Sequence, residues 1–153
     1  MLTTAKSLAR AFLGKAPTYT EVNHDEWLIN ATAATTTAIG DILMVDSGTI
    51  SATFEYTQVI LPTTAGFTGV TRRVFCVAQN IAAVGELVRC RFLGDTVLTV
   101  TSGNATANVL LMPINAAVGA ATATTGLVAI ALSKEASTGT KRVFFNGFGI
   151  TVA

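Results

Sequence analysis

VFCVAQNIAAVGELVRCRFLG, residues Val74–Gly94, is the stretch on which the fold turns. Its first residues form a short apolar run. Its last residues alternate Val88, Cys90 and Phe92 with Arg89 and Arg91, the period of two that marks a strand with one buried face. Small residues and Gly85 lie between the two runs, so the whole reads as strand, turn, strand, and a closing glycine. With the turn centred on Ala83, Val74, Cys76 and Ala78 face Phe92, Cys90 and Val88, and this face is expected to be core. The opposite face then carries Arg73, Phe75 and Val77 against Leu93, Arg91 and Arg89. Its mixture of arginines and large apolar residues suits a protein interface better than a plain solvated surface.

The same pattern returns at LVAIALSKEASTGTKRVFFNG, Leu127–Gly147, where Ala131, Arg142, Phe145 and Gly147 repeat Ala78, Arg89, Phe92 and Gly94 at a spacing of 53 residues. A shorter echo lies at TTAIGDILMVDSG, Thr36–Gly48. A hairpin reused inside one sheet system explains this, since two copies are too few for a solenoid. Further strands are expected at Thr20–Ile29, Asp41–Asp46, Thr49–Ile60, Thr71–Gln79, Leu87–Leu93, Thr96–Thr101, Asn108–Met112, Gly126–Leu132, Lys141–Phe145 and Gly149–Val152. Their short lengths, with turn residues between them, predict an all-β fold, a single β-barrel or β-sandwich domain over residues 17–153.

Residues 1–16 read as a separate N-terminal arm. Thr3–Leu13 has helical spacing, with Leu2, Ala5, Leu8, Ala9 and Phe12 on one stripe and Leu13 at its edge, and with Lys6 and Arg10 as a basic stripe. Gly14 and Pro17 end the helix. An isolated helix this short is marginal in water, so the arm must dock on something; a neighbouring protein is the expected anchor, with the chain's own barrel or a membrane surface as the alternatives. Leu2, Lys6, Leu8, Arg10, Phe12 and Leu13 are therefore candidate contact residues, together with Arg73, Phe75, Arg89 and Arg91.

Composition narrows the function. Half of the 153 residues are hydrophobic, only 12% are charged, and the net charge is +1. The mean hydropathy is +0.55. Soluble domains carry about 25% charged residues. No run reaches the 18 or more consecutive apolar residues of a membrane helix, because Thr, Asn, Gly and Pro113 interrupt the uncharged stretch Thr96–Ser133. Burial against other subunits explains the missing charge, and a homo-oligomer, a trimer, is expected. The first residues lack the long apolar core of a secretory leader, so Cys76 and Cys90 are expected to be free thiols.

Catalytic and ligand signatures are missing from the sequence. His24, the only histidine, shares a strand face with Glu26, yet a metal site needs a third ligand. Cys76 and Cys90 are fourteen residues apart, without a paired-cysteine motif. No nucleophile elbow, phosphate loop or dinucleotide fingerprint occurs. No cofactor, metal or enzymatic activity is expected. Arg72, Arg73, Arg89 and Arg91 lie near Phe75 and Phe92, but alternation separates Phe92 from Arg91 and the charge is near neutral, so nucleic acid is not an expected partner. Asn30-Ala31-Thr32 and Asn104-Ala105-Thr106 match the glycosylation sequon and read as chance matches in a Thr-rich chain.

Val77-Ala78, the turn with Ile81-Ala82-Ala83 and Gly85-Glu86, and the alternation of Val88, Cys90 and Phe92 up to Gly94 resemble small phage capsid cement (decoration) proteins. Gly40-Asp41-Ile42-Leu43 and the C-terminal copy add to the resemblance, which covers about half of the chain. It implies a compact β-barrel or sandwich, often trimeric, bound outside an icosahedral head, where it bridges major capsid subunits and reinforces the shell. It implies location on the virion surface after assembly in the host cytoplasm, and no catalytic residues. A tail, adaptor or head-fibre component shares the composition, and a cellular β-barrel ligand-binding module is a third reading.

Overall fold

The computed structural model describes residues 23–46, 58–63, 74–100, 109–122, 128–133 and 139–151. These residues form nine strands and no helix: β1 His24–Asn30, β2 Ile42–Val45, β3 Gln58–Ile60, β4 Phe75–Ala78, β5 Leu87–Val100, β6 Leu110–Pro113, β7 Ala120–Thr122, β8 Val128–Ser133 and β9 Gly139–Thr151. The expected arm at residues 1–16 lies outside the described residues, as do Arg72, Arg73, Asn104 and the first part of the strand expected at Thr49–Ile60.

The nine strands join in one mixed sheet that closes on itself twice. β1 pairs with β3, β3 with β2, β2 with β4, β4 with β5, and β5 returns to β1, which makes a five-stranded ring. A second circuit runs from β5 to β7, β6, β8, β9 and back to β5. Strand β5 belongs to both. Its first half pairs with β1 and β4, and its second half with β9 from Leu93 to Val100. Gly94, at φ 118°, marks the transition, in a region of backbone space that side chains other than hydrogen resist. Closure gives every strand two neighbours among the described residues, although β1 meets β3 only at Ile29 and Asn30 and β5 meets β7 only at Val100.

Each ring encloses its own core. Leu28, Leu43, Val45, Val59, Cys76, Ala78, Val88, Cys90 and Phe92, from all five strands, fill the first. Leu98, Val100, Leu111, Ala120, Ile130, Ala131, Val143 and Phe145 line the second, and Ile42, Met44, Phe75 and Val77 from the first ring's outer wall pack into it. Strands β2 and β4 are therefore buried on both faces, which is why ILMV and FCVA read as unbroken apolar runs rather than alternating ones. The second ring is fixed to that wall by the Ile42 amide, which donates to the Val118 carbonyl at 2.7 Å.

The internal repeat maps onto this architecture. The first copy is the β4–β5 hairpin of one ring and the second is the β8–β9 hairpin of the other. The two long strands pair with each other, with Gly94 opposite Phe145. Gly147 passes so close to β4 that a Cβ built there would lie 1.9 Å from the Phe75 carbonyl oxygen. Only glycine permits that approach.

The turns repeat as well. Ala38-Ile39-Gly40-Asp41 and Ala83-Val84-Gly85-Glu86 are closed by the same reciprocal bonds. The Ala38 amide donates to Asp41 Oδ2 at 2.7 Å and the Asp41 amide to the Ala38 carbonyl at 3.1 Å. The Ala83 amide donates to Glu86 Oε2 at 2.8 Å and the Glu86 amide to the Ala83 carbonyl at 3.0 Å. Gly40 and Gly85 supply the positive φ that each turn requires.

Asn30, at the end of β1, clamps these turns to the first ring. It is fully buried and uses its entire hydrogen-bonding capacity. Its Nδ2 donates to the carbonyls of Thr35 and Ala82, both at 2.9 Å. Its Oδ1 accepts from the Thr32 amide at 3.1 Å and the Thr32 hydroxyl at 2.7 Å. The sequon at Asn30 is thus a structural clip whose side chain is closed to modification in the folded chain.

A candidate interaction face

The β1–β5 ladder determines which side chains face outward. Asp25 lies opposite Arg91, Trp27 opposite Arg89 and Ile29 opposite Leu87. Because Leu28 and Asn30 point into the ring, the intervening Trp27 and Ile29 point away from it. Trp27 is 59% exposed, and Ile29 and Leu87 are exposed beside it. The adjoining turn adds exposed Ile81 and Val84. The result is an exposed apolar ridge on the outside of the first ring.

Charges border the ridge at one end. Arg91 Nε and Nη2 donate to the two carboxylate oxygens of Asp25 at 2.7 and 2.9 Å, and Nη1 donates to the Asp95 carbonyl at 2.6 Å. Arg89 Nε lies 3.5 Å from the same carboxylate, with its side chain much more exposed than that of Arg91. The hydrogen bond from Arg91 holds the Asp25 carboxyl below its ordinary value, against the opposing effect of partial burial; the charges of Arg91, Arg89 and His24 add to the lowering. Arg91 is thereby a fixed bracket, whereas Arg89 retains freedom to meet a partner. This bidentate geometry fits a guanidinium and not an ammonium.

Arg89 and Arg91 sit on the outer face, as alternation predicts. Phe75 does not. It is wholly buried between the rings, because the second ring covers the outer wall of β4. The face that sequence reading assigned to a partner is, at β4, an interface inside the chain itself. Leu2, Lys6, Leu8, Arg10, Phe12, Leu13 and Arg73 lie outside the described residues. Trp27, Ile29 and Leu87 complete the ridge and were not among the sequence candidates. Alternation of Asp25, Trp27 and Ile29 against Leu28 carried the signal, but which face was outward depended on the non-local β1–β5 pairing.

A second apolar area lies on the outside of the second ring. Leu110 pairs with Leu132, Leu132 with Phe144, and Phe144 with Asp95, which places an apolar row across β6, β8 and β9. Strand β8 is irregular between Ala129 and Ala131. Such a break bends the strand. Beside it lies a recess of about 210 Å³ whose lining includes Leu110, Ile130, Leu132 and Phe144, with Asn146 as its one polar side chain.

Two further groups have local explanations. His24 Nε2 lies 2.9 Å from Glu26 Oε1, so the two do share a face, and among the described residues no group of three His, Cys, Asp or Glu is placed to hold a metal ion. Cys76 and Cys90 are free and buried. Burial raises the Cys76 thiol well above its ordinary value, and its contacts with Cys90 and the charge of Glu26 raise it further. A thiol held protonated in this way is a poor nucleophile and a poor metal ligand. No described helix is long and apolar enough to cross a membrane.

No protein-family model, curated protein or solved structure matches the chain.

Proposed function

We propose that the chain is a non-enzymatic structural subunit of a virion, a capsid cement protein that binds the outside of the major capsid shell and stabilises it. The observation that carries this reading is the Trp27–Ile29–Leu87 ridge with Arg89 at its border, exposed on a doubly closed β body. Aromatic and aliphatic anchors beside an arginine are the composition of a contact centre. The small share of charged residues fits a molecule whose surfaces are covered in use. The resemblance of the Val77–Gly94 hairpin to small cement proteins supplies the particular assembly, with the major capsid protein and further copies of this chain, as a trimer, as partners. Two closed rings with a shared strand make a stiff body, and stiffness is what a reinforcing clamp needs.

The test is binding to empty shells of the virus that encodes the chain. Full-length protein is expected to pellet with shells to saturation and to raise the temperature at which they disrupt. Leu87→Glu, on the exposed ridge, is expected to reduce both effects while leaving unfolding of the free protein unchanged. A chain that begins at Ala16 is expected to fold and to bind shells more weakly. Absence of pelleting by the full-length protein contradicts the proposal.

A further inference from the structure

We propose that the chain associates with itself by a knob and socket, with Trp27 of one copy seated in the Leu110–Leu132–Phe144 recess of the next. The inference rests on the structural-subunit reading above and names one of its partners. Three observations lead to it. Trp27 stands exposed on the ridge, and a recess of about 210 Å³ is of the scale of one large aromatic side chain. Their polarity also matches, because a buried indole needs one acceptor for its N–H. The recess offers one polar side chain, Asn146, whose Oδ1 already accepts from the Phe148 amide at 3.1 Å and has a second lone pair. The charges at their borders are compatible: Arg89 and Arg91 outnumber Asp25 beside the ridge, and Asp95 stands beside the recess together with Arg142. Trp27 lies directly across from Arg89, and Phe144 directly across from Asp95.

The knob cannot fill its own socket. Arg89 and Asp95 are six residues apart on β5, about 20 Å at 3.3 Å per residue. A standard interface covers about 800 Å² on each partner. That is a tenth of the 8331 Å² surface of the chain.

Trp27 is the only tryptophan, so its emission reports directly on the contact. In full-length protein, dilution is expected to shift that emission from the blue, buried range to the red, exposed range, in step with a fall in sedimentation mass. Truncating a buried tryptophan anchor costs 2 kcal/mol or more, on the order of 30-fold in affinity. Trp27→Ala and, separately, Phe144→Glu are each expected to weaken association by at least that factor, with Leu132→Arg as a second socket variant should Phe144→Glu fold poorly. Mixing Trp27→Ala with Phe144→Glu is expected to restore association, limited to pairs, because one intact knob and one intact socket remain. Failure of the mixture to associate, or unchanged self-association of both single variants, overturns the proposal. A Trp27 shift that appears only on adding shells, and never with concentration, also overturns it while leaving the cement reading intact.

Discussion

Asn30→Ala removes the clip on which the first ring's turns depend. The side chain makes four hydrogen bonds, to Thr35, to Ala82 and two to Thr32, all in a fully buried position. Each is worth about 1 kcal/mol net, and a buried group left without a partner costs about 1–3 kcal/mol. Two of the lost partners are cushioned. The Ala82 carbonyl keeps the Thr37 amide at 2.9 Å, and the Thr35 carbonyl keeps the Thr32 hydroxyl at 2.7 Å. The Thr32 amide has no such substitute in the clip. The expected loss is therefore about 3 kcal/mol, or about 6–12 °C in Tm for a chain of this size. Urea unfolding is expected to show a lower midpoint with an unchanged slope. Asn30→Asp is the sharper variant, since it keeps the shape and turns two donors into acceptors facing carbonyl oxygens at 2.9 Å. Its anion is disfavoured in the folded state, so its folded pKa lies above the unfolded value of about 3.9. Stability of the variant is then lost as pH rises above that value. An Asn30→Ala loss below about 0.5 kcal/mol, the scale of an ordinary surface change, refutes the reasoning.

Five other outcomes follow from the packing and the charges. Phe75→Ala is expected to cost about 3–5 kcal/mol by urea unfolding, as a core truncation does, because Phe75 is buried between the rings. Asp25 is held below its ordinary value of 3.8, so its stabilising contribution is present above that pH and is lost as pH falls. Asp25→Asn should flatten the acid side of the stability profile; Asp41, raised by burial, acts in the opposite sense, and Asp41→Asn should steepen it. Cys76 and Cys90 are expected to resist alkylation in the native protein and to react fully in denaturant, with mass spectrometry finding no bridge between them. Lys141 is buried, with no hydrogen-bond partner for its Nζ among the described residues, and Lys141→Met is expected to raise the midpoint in the same urea assay.

The Val74–Gly94 hairpin was legible in sequence because its alternation is local. The residues that share each face are as expected, but the outer face of β4 is buried and the register differs. Ala78 pairs with Cys90 and Val77 with Arg91, which centres the turn on Val84 rather than Ala83. Moving the centre by one residue shifts each partner by two, so the faces survive while Cys76 and Cys90 become diagonal instead of opposite. The shift has a local cause. Asn80 Oδ1 accepts from the Arg89 amide at 2.6 Å, and Glu86 closes the turn through Ala83. The repeat correctly pointed to a reused hairpin. Its consequence, two rings sharing β5, was hidden because the closing pairs β1–β5, β1–β3 and β5–β9 join residues far apart in sequence. The strands read as ending at Leu93 and Phe145 run on through Gly94 and Gly147, since pairing with each other supports glycines that isolated strands would not. Ala120–Thr122 has no strand signature and is a strand only through its partners β6 and β5. The ridge was half visible: Arg89 and Arg91 came from alternation, whereas Trp27 and Ile29 needed the ring to show which face was outward.

The most direct test of the proposed cement role is imaging of intact phage particles assembled with and without the protein. The cement reading predicts a two-ring β density at many equivalent positions on the outer capsid surface, present in the first sample and absent from the second. Density confined to a single vertex or to the tail, or particles that lack the protein altogether, would contradict it.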